Sequence, residues 1–275
     1  MMQATLRETL AFDGIGLHTG ERAAVEVRPA QTGDGITFIL GSSRVPATPE
    51  YVLDTSRATV LGRGDQSVST TEHLLSALFA MGVTNAEIHV DGPEIPARDG
   101  SAAEFVEAIR RCGLETQAQP RDVVELDAPC WVRSGDRAIV ALPAPKFRIK
   151  FVADFPSPVG TQYFDGEIDS ETFATEIAGA RTFAFLHEIE ALWARGLGRG
   201  GSLENALIFT PDGPMQPLRW PNEAVRHKVL DLIGDLALLG AWPRFEIIAI
   251  KSGHALHASL LRALNSRPGL HAVRR

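Results

Sequence analysis

Ser69-Thr70-Thr71-Glu72-His73-Leu74-Leu75-Ser76-Ala77-Leu78-Phe79-Ala80-Met81-Gly82 is where the chain changes period. Ser69 to Glu72 fits a capping box, in which a Ser or Thr and a Glu three residues on satisfy each other's backbone N–H groups. Residues 73–81 then run as an apolar helix, and Gly82 is its expected stop. On both sides the period is two. Residues 23–28 (AAVEVR) and 86–90 (AEIHV) alternate apolar with polar, the pattern of half-buried strands. Gly33-Asp34-Gly35 marks a turn between strands. Between Gly41 and Gly64 the chain is rich in Gly, Pro, Ser and Thr, with one candidate strand at 58–61. A second helix fits 102–112, stopped by Gly113. The chain then turns polar to Asp122, with Pro120 inside, and the domain boundary is expected there.

The second half shows the same order of elements without a residue-level repeat. Strands fit 123–126, 138–142, 148–153 and 245–250. Helices fit 170–177, 185–195, 222–239 and 254–265. Strands with separate helices in each half predict an α+β chain of two layered units, 1–119 and 120–275.

Composition narrows the function. The chain has 275 residues, 44% hydrophobic and 22% charged, as expected of a soluble globular protein. Its net charge of -7 argues against a general nucleic-acid binder, which needs a basic footprint. Cys112 and Cys130 are the only two cysteines, too few for a disulfide framework or a thiolate zinc site. Residues 1–10 carry no apolar signal core. The longest apolar run, 74–83, is far short of the roughly 18–20 residues that span a bilayer. The expectation is a reduced, cytoplasmic, monomeric protein without a transmembrane segment.

Among the eight histidines, His227 and Asp231 stand four apart on the helix expected at 222–239. That spacing puts both on one face, within reach of one metal ion, and Asp235 extends the row by a turn. A solvated face is the commoner meaning of an isolated H-x-x-x-D. His73 beside Glu72 is a candidate third ligand with a neighbouring general base, though Glu72 alone fits the capping box. His254 sits at a glycine corner, Lys251-Ser252-Gly253-His254, after a strand. His18 lies in a glycine-rich turn. His89 reads as structural, and His187, His257 and His271 have no convincing chemical company. His187-Glu188 starts like a zincin motif, but Ala191 stands where the second histidine belongs. No dinucleotide fingerprint, P-loop or nucleophile elbow occurs.

Taken together these segments resemble the zinc-dependent UDP-3-O-acyl-N-acetylglucosamine deacetylase family of lipid A biosynthesis. The resemblance spans nearly the whole chain. It rests on Gly14-Ile-Gly-Leu-His-Thr-Gly20, Thr71-Glu-His-Leu74 and Pro93-Glu-Ile-Pro-Ala-Arg-Asp-Gly-Ser101 in the first half. In the second it rests on Ala180-Arg-Thr-Phe183, Gly200-Gly-Ser202, Val225-Arg-His-Lys-Val-Leu-Asp231 with Ile233-Gly-Asp235, and Lys251-Ser-Gly-His-Ala255. It implies helices sandwiched between two sheets. It implies Zn²⁺ held by His73, His227 and Asp231, with Glu72 as general base and His254 as general acid. Asp235 would orient His254, and Thr182 would stabilise the oxyanion. Phe183 would pack near the sugar, and Lys228 would bind the anionic part of the substrate. An insert near 184–213 would carry an acyl-chain passage lined by Leu186, Ile189, Leu192, Trp193, Leu197 and Leu207. Such a substrate also suggests transient contact with a membrane surface.

The departures are a short tail after the last helix, a short stretch at 41–61, Asn222 where an acid is common, and Arg137 where a lysine often contacts substrate. None touches a proposed ligand or proton-transfer group. A non-catalytic paralogue that binds a nucleotide sugar or acyl chain, and a zinc amidase acting on another sugar, are the competing readings.

Overall fold

The computed structural model describes residues 1–266 and the backbone of 271–273. The segments expected to alternate are strands. A five-stranded sheet runs in the order Leu10–Ile15, Arg22–Pro29, Ala86–Asp91, Ile36–Leu40, Ser43–Pro46. Neighbours are antiparallel except Ile36–Leu40, which runs parallel to Ala86–Asp91. Register follows burial: Val25 faces Val90 and Val27 faces Ile88 on the core side, while Glu26 and His89 face each other outward. A small sheet of Val52–Asp54, Val60–Arg63 and Gln66–Val68 precedes the first helix.

That helix, α1 (Glu72–Met81), is buried at nine of its ten positions. A helix apolar all round has neighbours all round. α2 (Ala103–Cys112) packs beside it, and the ribbon of Met2–Leu6 with Leu114–Pro120 closes this half. The polar run in which the domain boundary is expected holds a strand, Leu114–Pro120.

In the second half, Trp242–Ile250 organises the sheet. Arg137–Pro143 pairs with it antiparallel and leads to Cys130–Ser134. Arg148–Asp154 and Val123–Glu125 pair with it in parallel, flanked by Thr161–Glu167 and His271–Val273. The expected helix at 170–177 divides into α3 (Ser170–Thr172) and a wider π turn (Phe173–Ile177). The segment 184–213 holds a 3₁₀ turn (Leu186–Glu188) and α4 (Ile189–Ala194). Its small sheet consists of Phe183–Phe185, Leu207–Thr210 and Gly213–Pro214. α5 (Glu223–Leu236) and α6 (His254–Asn265) complete the helices. One hydrophobic core contains the inner faces of both sheets and the four long helices, the α+β sandwich expected. Among the described residues no helix is long and apolar enough to cross a membrane.

The helical layer depends on one glycine. α1 packs directly on α5. A Cβ on Gly234 would overlap the Glu72 carbonyl and fall 2.8 Å from Glu72 Cα. In an ordinary helix interior, Gly→Ala stabilises by about 1 kcal/mol. Here the two backbones must separate, an overpacking effect of about 1–3 kcal/mol that reverses the sign. Gly234→Ala is therefore expected to lower the melting temperature, and a scan of both proteins side by side measures it.

Candidate active site

Glu72 and His73 open α1. The expected capping box does not form. Thr71 precedes the helix with no side-chain cap, and its hydroxyl donates to the Thr59 carbonyl at 3.0 Å. Glu72 Oε2 accepts the Thr59 N–H at 3.0 Å, and Ser69 N–H goes to the Pro93 carbonyl. Two residues earlier, Thr70 has φ 58°. For a β-branched residue this left-handed backbone costs on the order of 1–3 kcal/mol. Its hydroxyl is tied to buried Glu94 at 2.7 Å. Glu94 also takes the N–H groups of His18 and Thr19, so the Gly14–Gly20 turn and the approach to α1 share one carboxylate.

α5 supplies His227, Asp231 and Asp235, all about 2% exposed. His227 Nε2 lies 3.4 Å and His73 Nε2 3.7 Å from Asp231 Oδ1. The three ligand atoms lie within 4.8 Å of one another. His227 Nδ1 is held by the Ala180 carbonyl at 3.1 Å, which turns Nε2 towards this centre. Lys228 Nζ takes the other oxygen of Asp231 at 2.7 Å. Asp231 Oδ1 is left buried with no hydrogen-bond partner. A buried carboxylate oxygen without a donor is costly unless a cation meets it. Two imidazoles and one such oxygen fit a divalent metal ion. Burial pushes His227 down to about 3 and lowers His73, so both rings are neutral, the form that ligates. Burial opposes charge on Asp231, but His227, Lys228 and the other histidines outweigh it and hold the carboxyl well below its usual range.

Beside this centre, His254 at the start of α6 faces both halves of the chain. Its Nε2 is 3.7 Å from Glu72 Oε1 and 3.9 Å from Asp231 Oδ2. Its Nδ1 bonds Asp235 Oδ2 at 2.8 Å. Burial works against the imidazolium, but Asp235 and Glu72 outweigh it and raise His254 to about 10. Burial likewise opposes charge on Asp235, yet His254 and the hydrogen bonds from both histidines bring it down to about 2. Glu72 is pushed up to about 8 by burial, with the His254 charge opposing and Asp231 and Asp235 adding to the rise.

His257 corrects the expectation that it has no chemical company. The i,i+3 spacing on α6 puts it on the same buried face as His254. Its Nδ1 bonds Asp235 Oδ2 at 2.6 Å and its Nε2 meets Ser252 Oγ at 3.0 Å. Thr59, which no spacing singles out, also reaches Asp235, through Oγ1 to Oδ1 at 2.5 Å.

Thr182 is pinned through its backbone, its N–H donating to the Gly100 carbonyl and its own carbonyl accepting the Leu207 N–H, both at 2.8 Å. Phe183 sits with its ring centre 6.1 Å from that of His227 and 5.7 Å from Lys228 Nζ. Arg137 is not drawn in. It opens the strand Arg137–Pro143 at the sheet's rim, opposite Ser134 across a hairpin, and is exposed. His187 is exposed, and His89 meets Glu87. The side chain of His271 lies outside the described residues. In the segment 184–213, Leu207 is core, packed with Phe185 and Phe209, whereas Leu186 and Trp193 are exposed.

The chain as a whole is similar to known proteins. A protein of Nostoc sp. named UDP-3-O-acyl-N-acetylglucosamine deacetylase is 45% identical over 275 residues, covering 96% of this chain and 98% of its own. One of the same name from Phenylobacterium zucineum is 45% identical, covering 100% and 97%. Another, from Myxococcus xanthus, is 43% identical, covering 98% and 88%. The family model described as UDP-3-O-acyl N-acetylglycosamine deacetylase matches residues 3–266. With a match over nearly its whole length, the chain belongs to the UDP-3-O-acyl N-acetylglycosamine deacetylase family.

Proposed function

We propose that this chain is a zinc-dependent hydrolase that removes the N-acetyl group of UDP-3-O-acyl-N-acetylglucosamine, leaving the free amine and acetate. The observation that carries the reading is the bare, buried Oδ1 of Asp231 facing two inward-turned imidazoles, with Glu72 and His254 alongside. His73, His227 and Asp231 would hold the ion. Two His and one carboxylate are a recurrent catalytic zinc set. When bound, zinc would polarise the amide carbonyl and ease ionisation of water at the site. It would also add the positive charge that keeps buried Glu72 ionised near neutral pH.

The chain's own groups handle the protons. Glu72 Oε2 is occupied by the Thr59 N–H, which leaves Oε1 to take the proton of the attacking water. His254 holds its proton on Nε2, because Nδ1 is committed to Asp235. As the C–N bond breaks, that proton passes to the departing amine nitrogen. Oε1 and Nε2 are 3.7 Å apart, so acceptor and donor flank the same bond. The Thr182 hydroxyl would donate to the carbonyl oxygen as it gains charge. Lys228 and Phe183 would meet the UDP-sugar, an anion bound by local cations within an acidic protein. Arg137, at the surface, would contribute only from the rim.

We further propose the division into units 1–119 and 120–275, an acyl passage along 184–213, and a cytoplasmic location. Transient membrane contact would use the apolar side chains exposed here, Leu186, Trp193, Leu203 and Met215.

Purified protein with its zinc content measured is expected to release acetate from the UDP-sugar. Glu72→Gln should keep one zinc and lose on the order of 10²–10⁴ in kcat. Binding without acetate release by wild type at any zinc level would instead mark a non-catalytic binder. Chelation should lower the melting temperature, and added zinc should restore it, because a ligand bound only by the folded state stabilises it. Asp235→Asn removes the charge that raises His254. The acid form is lost as pH rises through its pKa, so the alkaline limb of the kcat–pH profile should move to lower pH.

A further inference from the structure

One buried residue touches both proton-transfer arms, and the steps above use only its N–H. Thr59 is 2% exposed and immediately precedes the strand Val60–Arg63. Its N–H donates to Glu72 Oε2 at 3.0 Å. Its hydroxyl donates to Asp235 Oδ1 at 2.5 Å and lies 3.2 Å from His254 Nδ1. Its carbonyl accepts both the N–H and the hydroxyl of Thr71, the residue before α1.

We propose that Thr59 is a positioning residue that fixes the proposed base and the carboxylate behind the proposed acid relative to each other. The inference rests on the functional reading above.

The physical reason lies in how carboxylates turn. Each has two oxygens, and a donor on one decides where the other points. The Thr59 N–H on Oε2 leaves Glu72 Oε1 towards His254 Nε2. The Thr59 hydroxyl on Oδ1 leaves Asp235 Oδ2 for the Nδ1 atoms of His254 and His257. A short hydroxyl-to-carboxylate bond of this kind is charge-assisted and among the stronger ones. Without it, Asp235 Oδ1 is a buried acceptor lacking its donor. The carboxylate can then turn to offer Oδ1 to an imidazole, and the His254 ring follows it. Both anchors sit on one residue of the first half, whereas Asp235 and His254 belong to the second. Thr59 thereby carries the alignment of α1 across to α5 and α6.

Thr59→Val keeps the shape and the backbone N–H but removes the hydroxyl. Thr59→Ser keeps the hydroxyl. Thr59→Val is expected to lose about 10- to 100-fold in kcat, the usual effect of stranding a buried charged acceptor. Its KM should stay within about 2-fold and Thr59→Ser within about 3-fold of wild type, since neither loses a substrate contact. Zinc content should match wild type in both. Adding Thr59→Val to Asp235→Ala should cost nothing further, because no carboxylate then remains for the hydroxyl to orient. Wild-type kcat in Thr59→Val, equal impairment of the Ser variant, or multiplying effects in the double variant would overturn the proposal. A second readout needs no turnover: proton NMR of the imidazole N–H groups bonded to Asp235. These signals should move in Thr59→Val and stay in Thr59→Ser, and unmoved signals in the Val variant overturn the inference. If wild type releases no acetate, the functional reading fails while this spectrum still decides the role of Thr59.

Discussion

Two helix backbones touching at Gly234 make the rest of the site possible. α1 brings Glu72 and His73 and α5 brings His227, Asp231 and Asp235. With a side chain at Gly234, the start of α1 would have to move away from α5. The three candidate ligand atoms lie within 4.8 Å, so the centre tolerates little separation. The same closeness explains why α1 is buried on nearly every face. It is the shared inner layer of both halves, and its polar first turn is buried with the rest. A carboxylate and an imidazole survive there because backbone groups and other charges meet them.

Charge is distributed with economy around that contact. Glu72, Asp231 and Asp235 are buried acids, and His254 and Lys228 are the cations that face them. Each acid offers one oxygen to an identifiable donor: Thr59 N–H, Lys228 or Thr59 Oγ1. The second oxygen is then free to serve the centre. On Asp231 that oxygen is fully buried with no hydrogen-bond partner, facing two neutral imidazoles. The positive charge still wanting in this cluster is the strongest physical argument that the resting protein carries a metal ion.

Much of this was legible in the sequence, and the exceptions are instructive. The i,i+4 pair His227 and Asp231 shows itself by spacing, and Asp235 continues it. His257 obeys an equally simple i,i+3 relation to His254, but a lone histidine on an apolar helix face reads as core. Its partner Asp235 lies 22 residues earlier, beyond any local pattern. Ser69 to Glu72 satisfies the capping pattern, yet the Glu72 carboxylate is held by Thr59, because tertiary contact outweighed the local choice. Thr59 could not be found by residue type at all, since half of its contribution is a backbone N–H. The strand Leu114–Pro120 was hidden for another reason. It is one side of a two-stranded ribbon with largely exposed side chains, so no alternation marks it.

The hydrogen bond from Thr59 to Asp235 joins residues 176 positions apart. Contacts of such separation close a long loop and carry a large entropic cost before they return anything. The centre therefore depends on contacts that close long stretches of chain. During synthesis, His73 leaves the ribosome long before His227 and Asp231 exist. A nascent chain offers a passing metal ion one imidazole from this set, not a cage. Capture must wait until α5 has been made and laid against α1, so a chain cut short before α5 lacks two of the three candidate ligands of this centre.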